Sequence, residues 1–308
     1  MPEHRLHPRY WPTWLLFGLL RAIVFLPYAA QRWLGAGLGT TLRIASPRRR
    51  RIAKLNIARC LPELDARAQR ILVKKHFHAL GLSFLETADA YWMPRARLRT
   101  LVEFSGLENL HAALALQRGL LLLTAHFTTL EIGGTFIHFE VPRLHAVYRP
   151  NRRALLDTLI KRGRERVAER AIARHDVRSI LKSLKDRIPV WYAPDQGYRG
   201  AQSAMISFFG YPAPTTTATS RLARASGVPV LPFFAARLPG NRGYRLWIEP
   251  MLADFPSDDP VADTERLHRV LEQQIRRAPE QYLWSHDRFK IVPRGLAAAI
   301  TFQQSAPG

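Results

Sequence analysis

A chain of 308 residues is long enough for one large domain or two modest ones, and its 47% apolar share is that of a globular protein. Its 46 Lys and Arg against 24 acidic residues leave a formal net charge of +22, which favours polyanionic partners: nucleic acid, anionic lipid or an acidic carrier protein. One cysteine, Cys60, excludes an internal disulfide, and no Cys/His cluster has zinc spacing; no metal or cofactor is implied.

The first element is apolar. Residues 13–30, TWLLFGLLRAIVFLPYAA, carry a single charge, Arg21, over a length near the minimum for a spanning helix. Nine Leu, Ile, Val and Phe side chains favour insertion by roughly 3 to 5 kcal/mol, and a central Arg opposes it by about 3. The balance admits spanning, deep interfacial burial, or a core helix. Pro27 ends or kinks the helix, and no convincing cleavage site follows. Trp11, Trp14 and Tyr28 suit interfacial anchors. Arg5 and Arg9 precede the run, while Arg32, Arg43 and the block Arg48–Arg51 follow it. The heavier positive flank is C-terminal, which favours that side as cytoplasmic and lays the Arg block on anionic headgroups. Nucleic acid is the poorer explanation of that block beside an apolar segment. The expected division is an N-terminal anchor with its flanks, 1–45, and a catalytic domain, 46–308.

Residues 64–92 show helical spacing of apolar positions. From about residue 101 strands and helices alternate. Strands are predicted at 101–106, 120–126, 143–150, 188–194, 228–237 and 244–251. Helices are predicted at 107–119, 128–139, 151–170, 177–187, 215–227 and 263–279. The pattern implies an α/β fold: a mixed, largely parallel sheet flanked by helices, with ligands bound beyond the carboxyl ends of strands. His126 falls at the end of one predicted strand, and Asp195 just past the end of another.

The stretch GLLLLTAHFTTLEIGG, 119–134, holds the candidate chemistry. His126 is followed five places on by Glu131, a spacing that chance produces about once in a chain with 11 His and 24 acids. On one continuous helix such residues sit about 140° and 7.5 Å apart and do not meet. They can meet if His126 precedes the helix and Glu131 leans back from its second turn. Thr128 and Thr129 suit a helix start, whose free amides can stabilise an oxyanion.

The segments TAHFTTLEIGG, VYRPN, IKRGRER, VWYAPDQGYRGAQSAMISFFGYPAPTTTATSRLARASG and APEQYLWSHDRFK stand in the order and rough spacing of one family. The chain resembles the late (secondary) lipid A acyltransferases, most closely their lauroyl-transferring branch, from HPRYWPTWLLFGLLR to about residue 293. One departure is Asp287 in SHDRFK, where the family usually has Arg. The resemblance implies a glycerol-phosphate-acyltransferase-like fold with a membrane-anchoring helix, at the cytoplasmic face of a bacterial inner membrane. It implies transfer of a fatty acyl group, lauroyl or similar, from acyl carrier protein to a hydroxyl on an acylated, phosphorylated glucosamine disaccharide. Another glycolipid or an amino lipid is the alternative acceptor, and a basic nucleic-acid-binding protein is a remote alternative.

The expected mechanism has His126 as general base on the acceptor hydroxyl. Glu131 holds the imidazole, and amides near Phe127 and Thr128 receive the oxyanion. No G-x-S-x-G elbow supplies a covalent intermediate. The resemblance also points to Arg164, for an acceptor phosphate or carboxylate, and to Asp195, orienting Arg164 or the acceptor. Arg149, Arg152 and Arg153 are expected headgroup contacts. His76, His78, His111 and His138 read as packing or surface residues, and His286 lies in a family-like segment. Trp191, Tyr192, Phe208 and Phe209 read as core, or as lining for an acyl channel.

Overall fold

The computed structural model describes residues 7–198 and 200–290. Arg5 of the leading basic flank lies outside them. In chain order the helices are α1 (Trp11–Ile23), α2 (Tyr28–Ala45), α3 (Pro47–Cys60), α4 (Ala66–Trp92) and α5 (Arg95–Arg99). Then come β1 (Val102–Ser105), α6 (Leu107–Ala115), β2 (Leu121–Leu123), α7 (Leu130–Glu140), β3 (His145–Tyr148) and α8 (Ala154–Arg164). They are followed by β4 (Arg170–Ala173), α9 (Val177–Lys185), β5 (Val190–Tyr192), and a hairpin of β6 (Ser203–Phe208) and β7 (Tyr211–Thr216). The chain continues through α10 (Ala218–Ser226), β8 (Val230–Arg237), β9 (Tyr244–Ile248) and α11 (Pro260–Arg277).

Seven strands form one sheet in the order β1-β9-β8-β2-β5-β3-β4. From β8 to β4 every pairing is parallel. β9 is antiparallel to β8 and parallel to β1, so that edge runs in reverse. The expected mixed, largely parallel sheet is what forms. Side chains alternate across it: Leu121 and Leu123 enter one core with helices α3, α9, α10 and α11, while Leu120 and Leu122 enter the other with α6 and α7. At 27 residues, α4 is about 40 Å long and reaches both cores, through Phe77 on one side and Tyr91 on the other. Asp65 caps its start, accepting the Ala68 amide at 2.7 Å.

Three expectations need correction. The apolar run does not form one long helix: α1 ends at Ile23, and Pro27 becomes the N-cap of α2. Thirteen residues span only about 20 Å. Among the described residues no helix is long and apolar enough to cross a membrane. The helix predicted to reach residue 170 stops at Arg164, and β4 follows as an edge strand paired with β3 alone. The β6–β7 hairpin was not expected. Its turn residues, Phe209 and Gly210, both have left-handed φ, at 52° and 79°. Phe209 is held there by its amide on Glu272 Oε1 at 2.7 Å and by the Arg276 guanidinium, 5.0 Å from its ring centroid.

α2 lies on α4 with the two backbones in contact. A Cβ on Gly81 would stand 2.1 Å from Gly35 O and 2.4 Å from Gly39 N, so neither helix tolerates a side chain there. Gly81→Ala is therefore expected to destabilise the protein by about 1–3 kcal/mol or more. Thermal unfolding in detergent measures it, and an unchanged midpoint contradicts the close approach.

Candidate active site

β2 and β5 are neighbours, with Leu121 opposite Val190 and Leu123 opposite Tyr192. Carrying that register three residues past each strand brings His126 opposite Asp195. The two side chains meet there: His126 Nδ1 lies 2.6 Å from Asp195 Oδ1. The His126 amide donates to Asp195 Oδ2 at 3.1 Å, and the Tyr282 hydroxyl donates to the same oxygen at 3.1 Å. Burial raises the Asp195 pKa, but the charge and hydrogen bonds of His126 outweigh it and hold the carboxyl well below its usual range. Ionised, it can only accept, so Nδ1 must carry a proton. In the neutral ring Nε2 then keeps its lone pair. The His126 side chain is 25% exposed and Asp195 1%, so solutes reach the imidazole but not its partner.

Glu131 is not that partner. α7 begins at Leu130, and the carboxylate turns to α8 instead. Arg164 Nε donates to both Glu131 oxygens at 3.1 Å, and Arg164 Nη2 closes a second bond on Oε1. Tyr91 on α4 donates to Glu131 Oε2 at 3.2 Å. Burial opposes the Arg164 charge, and Glu131 more than restores it, raising its pKa. The expected pairing is thus exchanged: Asp195 holds His126, and Arg164, expected to take an acceptor anion, holds Glu131. Arg149 is exposed just beyond the end of β3.

The expected oxyanion donors are already engaged. The Phe127 amide bonds Ala125 O at 2.7 Å, and the Thr128 amide bonds Gln281 O at 2.7 Å. Thr129 is the N-cap of α7 but makes no side-chain cap, because its hydroxyl donates to Ala235 O on β8 at 2.6 Å. Gly134 lets α7 settle on the sheet, since a Cβ there would strike the Trp191 ring at 2.3 Å.

The loop bearing His126 is clamped from outside by residues 281–286. Leu283 N donates to His126 O at 3.1 Å, and Phe127 forms a bridge with Tyr282. Asn56 on α3 holds the far side of that segment through the carbonyls of Trp284 and His286, at 2.8 and 2.7 Å. Below the loop, a buried ion pair joins Arg237 to Glu86, and Arg237 Nη1 donates to Thr128 Oγ1 at 2.9 Å. His286 accepts the Gly197 amide at 3.4 Å, close behind Asp195. Tyr91, Glu86 and Arg237 escaped sequence reasoning because each reads as an ordinary helix or strand residue, and Tyr282 was not singled out within its segment. Only the YLWSHDRFK segment, which opens one residue after Gln281, carried a usable signal. Trp191 and Phe208 are core residues. Among the described residues no group of His, Cys, Asp and Glu could hold a metal ion.

A sequence profile described as bacterial lipid A biosynthesis acyltransferase matches residues 2–291. The chain belongs to that family. It is 39% identical to the lipid A biosynthesis lauroyltransferase of Escherichia coli K12 over 94% of this chain and 95% of the relative. It is 37% identical to the palmitoleoyltransferase of the same organism, over 94% of each chain. A 1-acyl-sn-glycerophosphate acyltransferase structure from Thermotoga maritima is 14% identical, covering 80% of this chain and 95% of that one, with a TM-score of 0.36, too low to equate the folds. Membership makes the chain an acyltransferase of lipid A biosynthesis.

Burial around the site fixes a pH dependence of stability. His76, His268 and His286 are each held neutral down to a pKa of about 4, chiefly by desolvation, against an ordinary 6.5. Below pH 6.5 the unfolded chain binds protons that the folded chain refuses, so stability falls as the pH drops towards 4. Asp89, pushed up to about 7 by burial and then by Glu86, works in the opposite sense: it keeps a proton that the unfolded chain loses above its usual 3.8. Three groups outweigh one. The melting temperature should therefore decline from pH 6.5 to 4, and a flat or rising profile contradicts the buried neutral rings.

Proposed function

We propose that this acyltransferase moves a fatty acyl group, lauroyl or similar, from acyl carrier protein to a hydroxyl of an acylated, phosphorylated glucosamine disaccharide. The observation that carries the reading is the His126–Asp195 hydrogen bond, made through Nδ1 by a ring whose side chain is partly exposed. Nε2 takes the proton of the acceptor hydroxyl as its oxygen attacks the thioester carbonyl. Asp195 keeps the ring in the required tautomer and stabilises the imidazolium. When the tetrahedral intermediate collapses, the C–S bond breaks, the ester remains on the acceptor, and the imidazolium returns its proton to the departing thiolate. Transfer is direct, and no acyl-enzyme forms.

Glu131 serves beside this pair rather than behind it. Its bidentate bond to Arg164 fixes both charges on the wall formed by α7 and α8, where Tyr91 adds a third contact. Relatives named for lauroyl and for palmitoleoyl transfer match this chain almost equally, at 39% and 37%. Identity therefore does not choose the chain length. Another glycolipid or an amino lipid remains the alternative acceptor class.

The setting is the surface of an anionic membrane, on its cytoplasmic side. Leu15, Leu16 and Leu19 on α1, together with Phe25 and Trp33, are all exposed, an arrangement suited to a helix lying in the lipid interface. The Arg48–Arg51 block starts α3 close by in the chain.

Purified His126→Ala should lose about 10²–10⁴-fold in transfer to the lipid A precursor, the usual worth of a general base. Asp195→Asn should lose activity on a similar scale through the wrong tautomer, while the protein stays folded. Mass spectrometry of the product reads both, and His126→Ala within a few-fold of wild type would end the reading.

A further inference from the structure

A cavity separate from the His126–Asp195 pair has Tyr91 in its lining. It encloses about 350 Å³, and Tyr91, Trp92, Arg95, Thr135, His138 and Arg166 are among the residues that line it. Tyr91 is shared between the cavity and Glu131: it lines the one, and its hydroxyl bonds the other. The ring is pinned by Gly163 on α8, where a Cβ would stand 2.2 Å from Tyr91 Cε2.

The chemistry of the lining is cationic. Arg95 Nη2 donates to the carbonyl of Arg166 at 3.1 Å, which draws the two residues together, and neither guanidinium has a carboxylate partner among the described residues. His138 is buried, and its Nδ1 has no hydrogen-bond partner. Burial first, and then the charge of Arg95, lower its pKa. Two unneutralised guanidinia suit a phosphate better than an alkyl chain, while the Thr135 hydroxyl in the lining already donates to Glu131 O at 3.3 Å. The neighbouring wall is apolar: Trp92 meets Phe17 of α1 edge to face at 6.0 Å, on the helix whose outer leucines are exposed. An anion bound here would carry a hydrophobic body alongside α1.

We infer that this cavity seats a phosphate of the acceptor lipid, with Arg95 and Arg166 as its cations and Tyr91 as the residue the cavity shares with the Glu131–Arg164 pair. The inference rests on the acceptor proposed above. It assigns the phosphate to a place separate from Arg164, whose guanidinium is already committed to Glu131.

The test uses the full chain in detergent micelles and the double variant Arg95→Ala/Arg166→Ala, whose exposed positions leave the melting temperature in place. Binding of labelled phosphorylated precursor, measured without donor, should weaken about tenfold or more, the scale of one charge-assisted contact. The KM for that acceptor should rise in parallel. The KM for the acyl thioester and binding of the dephosphorylated acceptor should not change, and Arg95→Lys/Arg166→Lys should restore part of the loss. Unchanged binding, equal loss with both acceptors, or an altered preference for acyl length would overturn the inference. If wild type shows this binding pattern but transfers no acyl group, the catalytic reading fails and the pocket stands.

Discussion

The site depends on one hydrogen bond formed across two neighbouring parallel strands. β2 and β5 end together, and three residues beyond each end the chain delivers His126 and Asp195 to the same point. The carboxylate receives three donors: the ring, the His126 amide and the Tyr282 hydroxyl. A buried carboxylate with three donors stays ionised, and an ionised carboxylate fixes the tautomer of the imidazole it faces. Much of the surrounding structure keeps that geometry from drifting. Residues 281–286 clamp the loop from above, α3 holds that clamp, and the Arg237–Glu86 pair holds Thr128 from below.

The Glu131–Arg164 pair has a different physical character. Both side chains are partly buried, and removing either would strand the charge of the other. Such a pair makes a rigid polar wall and has little freedom to exchange protons. The proposed mechanism thus divides the labour: a proton moves at His126 Nε2 while Asp195 stays ionised, and fixed charge stands beside them. Tyr91 connects the fixed pair to the cationic cavity, so α4 touches both that pair and the proposed phosphate seat through one side chain.

Much of this was legible in the sequence, and the failures have physical causes. Alternating apolar runs placed six strands, and put both His126 and Asp195 just beyond strand ends. What one dimension does not contain is strand order. Without knowing that β2 lies beside β5, the acid five residues from His126 looks closer than the acid 69 residues away. A helix start intervenes and sends Glu131 towards α8 instead. β4 was hidden because an edge strand keeps a polar face and continues the charged pattern of α8. The hairpin was hidden because Phe-Gly is an unusual pair for a turn with both φ values positive. The N-terminal run was apolar enough to leave a spanning helix open; Pro27 divides it, as its place in the run implied, and leaves α1 only 13 residues long.

The protonation state of the His126 ring tests the central claim directly. Nitrogen-15 NMR of histidine-labelled protein near neutral pH distinguishes a proton on Nδ1 from one on Nε2. With Asp195 as sole acceptor at Nδ1, wild type should show the Nδ1–H tautomer with a strongly deshielded proton, and Asp195→Ala should lose that signature. A wild-type ring in the Nε2–H form, unchanged by Asp195→Ala, would contradict a base oriented by Asp195.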